Sequence, residues 1–187
     1  MTNQSQPTAL KRSSGATEPS FDSRSFRHTL GRFPTGVTVV LAQVPGESPV
    51  GLTVSSFNSV SLEPPLVVWS LSTNSSSMRA FEHCDRYTIM VLAAHQADLA
   101  QRFASGSPDH RFDGLALDKC PNGAPKLATP CAAWFECHNR HRYQEGDHVV
   151  LIGEVENCEH SPLMPLIYHA GGFDLTPTVD TVDSSDW

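Results

Sequence analysis

The chain has no basic block. Its 187 residues carry 13 Lys and Arg against 20 Asp and Glu, a formal charge of −7 with neutral histidines. Nucleic acid and anionic membrane surfaces are therefore poor candidate partners. Long apolar runs are missing too: no window approaches the roughly 20 apolar residues that cross a bilayer. The opening "MTNQSQPTALKRSSGATEPS" lacks the apolar stretch of a secretory signal. Cysteine is sparse and scattered over Cys84, Cys120, Cys131, Cys137 and Cys158, with no C-x-x-C pair. An odd, dispersed set is not a disulfide framework. Together these absences point to a reducing cytoplasm. Three nucleotide and hydrolase signatures are also absent: a G-x-G-x-x-G after a strand, a P-loop and a G-x-S-x-G elbow. Any nucleotide must be held by some other device.

What is present is β character, regularly punctuated. The length suits one domain. Residues 1–20, rich in Ser, Thr, Gln, Pro and Gly, read as a disordered arm. Residues 21–175 read as the domain, and "TPTVDTVDSSDW" over 176–187 as an acidic tail. "FDSRSFRHTLGRFPTG" places Phe26, Leu30 and Phe33 at helical spacing, and Pro34 and Gly36 end that helix. "VTVVLAQV" and "PVGLTVSS", separated by "PGES", predict a hairpin. "PLVVWSLS" reads as a third strand buried on both faces. "NSSSMRAFEHC" predicts a short helix, "RYTIMVLA" a fourth strand and "HQADLAQRFASG" a further helix. Residues 107–130, rich in Pro, Gly and Asp, read as a long loop. "CAAWFECHNRHRYQ" and "DHVVLIGEVENCEH" predict two long strands joined at "EG", and "PLIYHAGGF" closes the domain. Most connections are too short for βαβ crossovers. That favours a closed antiparallel sheet, a barrel with helices at its ends.

Three stretches carry candidate chemistry. "GLTVSSFNSVSLEPPLVVWSL" crowds Thr53, Ser55, Ser56, Asn58 and Ser59 into a strand and its exit. These could hydrogen-bond a polar ligand; the plain alternative is an ordinary alternating strand with solvated hydroxyls. "SLSTNSSSM" is a serine-rich turn entering a helix, suited to phosphate through free N–H groups, or simply a cap. "EGDHVV" puts Asp147 and His148 just after a turn, at a substrate rim or merely on the surface. Cys137, His138 and His141 hint at a metal, but adjacent strand positions face opposite ways, so no metal site is assigned.

Taken in order, "FRHTLGRFPTGVTVV", "GLTVSSFNSVSLEPPLVVWSL", "QADLAQRFA", "FEC", "GDHVVLIGEV" and "PLIYHAGGF" resemble the flavin reductase components of two-component flavin-dependent monooxygenases, over Phe21 to Leu175. The resemblance implies a mainly β fold with helices: an antiparallel, Greek-key-like, flavin-binding split β-barrel, usually homodimeric. It implies hydride transfer from NADH or NADPH to FAD or FMN, with FAD and NADH favoured. Reduced flavin then diffuses to a separate oxygenase acting on an aromatic compound. On this resemblance Thr53, Val54, Ser55, Ser56 and Asn58, with Ser59 nearby, line the flavin ring and ribityl chain. Ser70 and Leu71 wall the pocket, Ser75 and Ser76 meet the phosphate, and Phe103 contacts the distal part. Arg32, Phe33, Pro34, Thr35 and Gly36, with His148, Tyr168 and Gly171, hold the nicotinamide, His148 positioning it rather than moving a proton. Two alternatives share the fold: a flavin-storage or flavin-sensing module, which needs no nicotinamide site, and an oxidase of the pyridoxamine-phosphate type. The second usually carries basic residues for its phosphate, and these pocket segments have almost none.

Overall fold

The computed structural model describes residues 18–175. The arm expected over 1–20 and the tail expected over 176–187 thus lie outside the described residues, apart from Glu18, Pro19 and Ser20. In chain order the elements are α1 (Ser23–Leu30), β1 (Thr35–Gly36), β2 (Thr38–Ala42), β3 (Val50–Val54), β4 (Asn58–Leu62) and β5 (Pro65–Ser72). Next come α2 (Met78–His83), β6 (Arg86–Val91), α3 (Ala97–Ser105), β7 (Leu117–Lys119) and β8 (Pro125–Leu127). β9 (Ala133–Glu145), β10 (His148–His160), β11 (Leu166–His169) and β12 (Gly172–Leu175) complete the series.

Every ladder is antiparallel. The main sheet has seven strands in the order β3-β2-β6-β9-β10-β5-β4, beside a three-stranded sheet β1-β11-β12 and the β7-β8 hairpin. The main ladder is not closed, in contrast to the closed sheet expected from the short connections. Its two edge strands, β3 and β4, are nevertheless consecutive in the chain. In a flat sheet seven strands wide they would stand about 29 Å apart at ~4.8 Å per strand. The chain from Val54 to Asn58 reaches at most about 15 Å, so the sheet must curl. One core cluster accordingly joins Val40 of β2, Val54 of β3, Trp69 and Leu71 of β5, Tyr87 of β6 and Leu151 of β10. A second cluster lies on the outer side of β2 and β6, where Val39, Leu41 and Met90 pack against Ala100 and Phe103 of α3 and Leu166 of β11. β2 is therefore covered on both faces, which explains its unbroken apolar sequence.

β5 instead alternates, with Val67, Trp69 and Leu71 buried and Val68, Ser70 and Ser72 half-buried. The apolar run does not mean burial on both faces here, because the outward side carries the two serines. β4 breaks from the sequence reading altogether: Asn and Ser are poor strand formers, yet β5 recruits them as an edge. The expected long loop holds the β7-β8 hairpin, whose turn is anchored on a buried carboxylate. Glu136 accepts from the backbone N–H of Asn122 at 3.1 and 3.0 Å, of Ala124 at 3.0 Å and from Asn157 Nδ2 at 2.8 Å. The β9-β10 turn consists of Gly146 and Asp147, with Gly146 at φ 62°, a left-handed position that glycine takes without strain. Among the described residues no helix is long and apolar enough to cross a membrane. The apolar positions of α1 face outward, with Phe26 48% and Leu30 56% exposed, followed by Phe33 at 71%.

Candidate functional site

The exit of β3 is held open by hydroxyl groups that bond to the frame. Thr38 Oγ1 donates to the Val54 carbonyl at 2.9 Å, and Thr53 Oγ1 donates to the Ala100 carbonyl of α3 at 2.6 Å. Ser56 Oγ accepts from the Ser70 N–H at 2.9 Å and lies 3.4 Å from the Ser70 carbonyl, tying the bend after β3 to β5. Of the polar run, Thr53 and Ser56 are thus partly structural. Ser55 between them makes no side-chain hydrogen bond among the described residues, and it is exposed. β3 ends at Val54, and Ser55 is the first residue of the bend that follows.

Three clefts meet at Ser55. The first, about 330 Å³, is lined by Thr53, Val54, Ser55, Ser56, Ser70, Leu71, Ser75 and His148, with Leu52 and Ser72. The second, about 500 Å³, lies between Thr53 and Ser55 on one side and Gln101, Ala104, Tyr168, Gly171 and Phe173 on the other. The third, about 830 Å³, runs from Ser55 and Ser56 along the end of α1 to Arg32, Phe33, Thr35, Tyr168 and Gly171. These volumes suit small-molecule and cofactor sites.

The hydroxyl wall of the first cleft comes from β3, β5 and the turn after β5. That turn is set by Ser72 Oγ, which accepts from the Asn74 N–H at 3.3 Å, and by Ser75 Oγ, which accepts from the Ser77 N–H at 3.2 Å. His148 opens β10 directly opposite Ser72. Its Nδ1 lies 2.7 Å from Asp147 Oδ1. The hydrogen bond from His148 holds the Asp147 carboxyl below its usual range, so the carboxylate is the acceptor and Nδ1 carries the proton. The ring is thereby oriented with Nε2 as its remaining polar atom. The Asp147 carbonyl in turn accepts from Thr73 N at 3.0 Å and Thr73 Oγ1 at 3.1 Å, fastening the hairpin tip to the end of β5.

The third cleft is shaped by two turns. Gly31 ends α1 and its carbonyl accepts from Ala170 N at 2.9 Å. Ala170 and Gly171 form the β11-β12 turn at φ 51° and 88°, both left-handed. Alanine is strained in that region. Thr35 of β1, paired with Tyr168 of β11, has a buried Oγ1 with no hydrogen-bond partner. A buried hydroxyl without a partner is a place where a ligand's polar group would be accommodated.

The remaining expected residues lie elsewhere. Asn58 and Ser59 are exposed on the edge strand β4 and line none of the three clefts, and Asn58 Oδ1 accepts from Ser59 N at 2.8 Å. Ser76, Pro34 and Gly36 adjoin lining residues without lining a cleft themselves. Phe103 is fully buried beneath Gly51, edge-on to Phe112 with centroids 5.2 Å apart. Cys137 is buried and its neighbour His138 exposed, and no group of His, Cys, Asp and Glu that could hold a metal is found among the described residues. Sequence reasoning missed Arg27, His28 and Gln101. The first two had a usable signal, because they stand one helical turn before Gly31 and Arg32.

The profile of the flavin reductase like domain matches residues 30–176, which takes in all three clefts apart from Arg27 and His28. The chain belongs to the flavin reductase-like family. Among proteins similar to this flavin reductase-like chain is the FMN reductase (NADH) SmoA of Agrobacterium fabrum, 43% identical over 152 residues, covering 81% of this chain and 85% of the relative. Another is the reductase subunit HsaB of a flavin-dependent monooxygenase of Mycobacterium tuberculosis, 36% identical over 155 residues and 81% of each chain. The NADH:FAD oxidoreductase SgcE6 of Streptomyces globisporus, solved in complex with NAD and FAD fragments, superposes with a TM-score of 0.78 at 34% identity. It covers 85% of this chain and 96% of its own.

Proposed function

We propose that this protein is an NAD(P)H:flavin oxidoreductase that supplies reduced flavin to a separate monooxygenase component acting on an aromatic compound. One observation carries the reading: in a flavin reductase-like fold, three clefts of different chemistry converge on one serine, Ser55. A flavin-storage module would need the hydroxyl-lined cleft and no other. Two large openings beside it suit a second, dinucleotide ligand.

The chain's residues fit a flavin by neutral hydrogen bonding. Ser55 and Ser70, whose hydroxyls have no partner among the described residues, would hold the ring and ribityl chain together with the Val54 backbone, and Ser75, with Ser76 adjoining the cleft, would meet the phosphate. Thr53 and Ser56 hold that wall in place, and Phe103 supports β3 from beneath. When bound, a flavin would supply the acceptor for the hydride of the nicotinamide. N–H and O–H donors fixed at the β3 exit would stabilise the charge that develops on the ring, without reorganising. His148, oriented by Asp147, positions the nicotinamide, and Arg32, Phe33, Thr35, Tyr168 and Gly171 enclose the rest of that ligand. No proton transfer is required of the histidine, so orientation is its contribution.

The curled, open sheet is read as a split β-barrel, with the reductase domain running from 21 to 175. The protein is read as a homodimer, because α1 presents Phe26 and Leu30 outward and Leu62 on the edge strand is 91% exposed. Light scattering after size exclusion would show a mass twice that of the chain; a monomer at micromolar concentration rejects the dimer. The activity is tested by following NADH at 340 nm with added FAD or FMN, and again with NADPH. Rapid flavin-dependent loss is expected with NADH. No loss with either nicotinamide would overturn the proposal.

A further inference from the structure

The three joined clefts differ in charge. The 330 Å³ and 500 Å³ clefts have no Lys or Arg in their walls. The 830 Å³ cleft has Arg27, His28 and Arg32, and no carboxylate. In a chain of formal charge −7 this is a local reversal of sign. Helical spacing produces it: His28 and Arg32 are four residues apart, and Arg27 stands one turn before Gly31, where the chain bends past the cleft.

The two guanidinium groups are also uncommitted. Arg79, Arg86 and Arg140 each pair with a glutamate, and Arg102 and Arg111 donate to backbone carbonyls. Neither Arg27 nor Arg32 makes a side-chain hydrogen bond or ion pair among the described residues. The Asp147 carboxyl, at the hairpin tip beside His148, is held low chiefly by its hydrogen bond to that histidine, and Arg27 adds only a minor part. His148 lines the 330 Å³ cleft and Arg27 the 830 Å³ cleft, two openings that share Ser55 and Ser56.

We infer that Arg27 and His28, together with Arg32, form an anion-binding rim that takes the pyrophosphate of the nicotinamide dinucleotide. This rests on the reductase reading above and adds to it a division of labour. The hydroxyl-lined cleft holds the flavin without formal charge, and the cationic rim captures the hydride donor. Arginine forks suit phosphate oxygens, and the rim would also draw an anionic donor toward an otherwise acidic surface. A neutral flavin site and a charged donor site allow the two ligands to leave independently.

The test uses Arg27→Gln and the Arg27→Gln/Arg32→Gln pair in the full chain. α1 buries no residue, so neither change removes core packing. Two hydride donors are compared: NADH, and 1-benzyl-1,4-dihydronicotinamide, which has no phosphate. KM for NADH should rise by on the order of tenfold in the single variant, and further in the pair. The loss of kcat/KM with the benzyl donor should be several-fold smaller, and KM for the flavin should stay near that of the parent protein. An unchanged KM for NADH in the double variant, with the parent protein active, overturns the inference alone. Equal losses with both donors overturn it too, since the effect would not follow phosphate. A parent protein that oxidises no nicotinamide overturns the reductase reading and this inference with it.

Discussion

Gly51 is the second residue of β3 and lies against Phe103 of α3. A Cβ placed on it would meet Phe103 Cε1 at 2.6 Å, Phe103 Cδ1 at 3.0 Å and Phe112 Cζ at 3.1 Å. Carbon atoms rest at about 3.5–4.0 Å, so Gly51→Ala drives a methyl group roughly 1 Å into a ring. Phe103 has nowhere to go: it is fully buried and held edge-on by Phe112. Nor is β3 free to retreat, because the Gly51 carbonyl accepts from Arg111 Nη1 at 2.8 Å. Overpacking of this kind costs about 1–3 kcal/mol. For a domain of this size each kcal/mol lowers Tm by about 2–4 °C, so a fall of roughly 2–12 °C is expected. Whatever shift does occur moves the same strand that carries Thr53 and leads to Ser55 and Ser56, so flavin binding should weaken as well. Thermal unfolding by circular dichroism, with flavin titrated by fluorescence quenching, measures both. The Gly51→Ala/Phe103→Leu double variant should recover part of the loss. An unchanged or raised Tm in Gly51→Ala would refute the reasoning, since glycine to alanine in a strand is otherwise stabilising by ~0.5–1 kcal/mol.

Three further outcomes are expected. His148→Ala should raise KM for NADH and lower kcat while flavin affinity is retained; steady-state kinetics with both parameters unchanged would remove the histidine from the site. Glu136→Gln should cost about 2–3 kcal/mol, because an amide NH2 would then face N–H donors that now bond a buried carboxylate; urea unfolding reads this directly, and a loss below about 0.5 kcal/mol would contradict it. Of the five thiols only Cys158 is exposed, and burial pushes the Cys84 thiol up to about 11 and that of Cys137 higher still. Native protein should therefore release one fast equivalent with a disulfide reagent at pH 8, and five after denaturation.

Local chemistry in the sequence was enough to place β2, β3, β5, β6, β9 and β10, the three helices and the turns between them, because apolar periodicity and Gly or Pro punctuation act over a few residues. It also marked "TVSS" and "GDH" as unusual. Other features are settled only by long-range contact. β4 is a strand because β5 offers it a ladder, although its Asn and Ser residues do not favour one. The hairpin inside 107–130 stands because a carboxylate 14 positions beyond Asn122 collects its amides. Which hydroxyl is free was likewise invisible locally: Thr53 and Ser56 look like Ser55 in sequence, yet Ala100 and Ser70, from distant segments, engage them and leave Ser55 open. Arg27 and Arg32 are ordinary surface residues until the Ala170–Gly31 hydrogen bond and the pairing of β1 with β11 bring the end of α1 beside Ser55, Tyr168 and Gly171. Composition and spacing determine which strands form. The curl, fixed by a three-residue link between two edge strands, decides which side chains share a cleft.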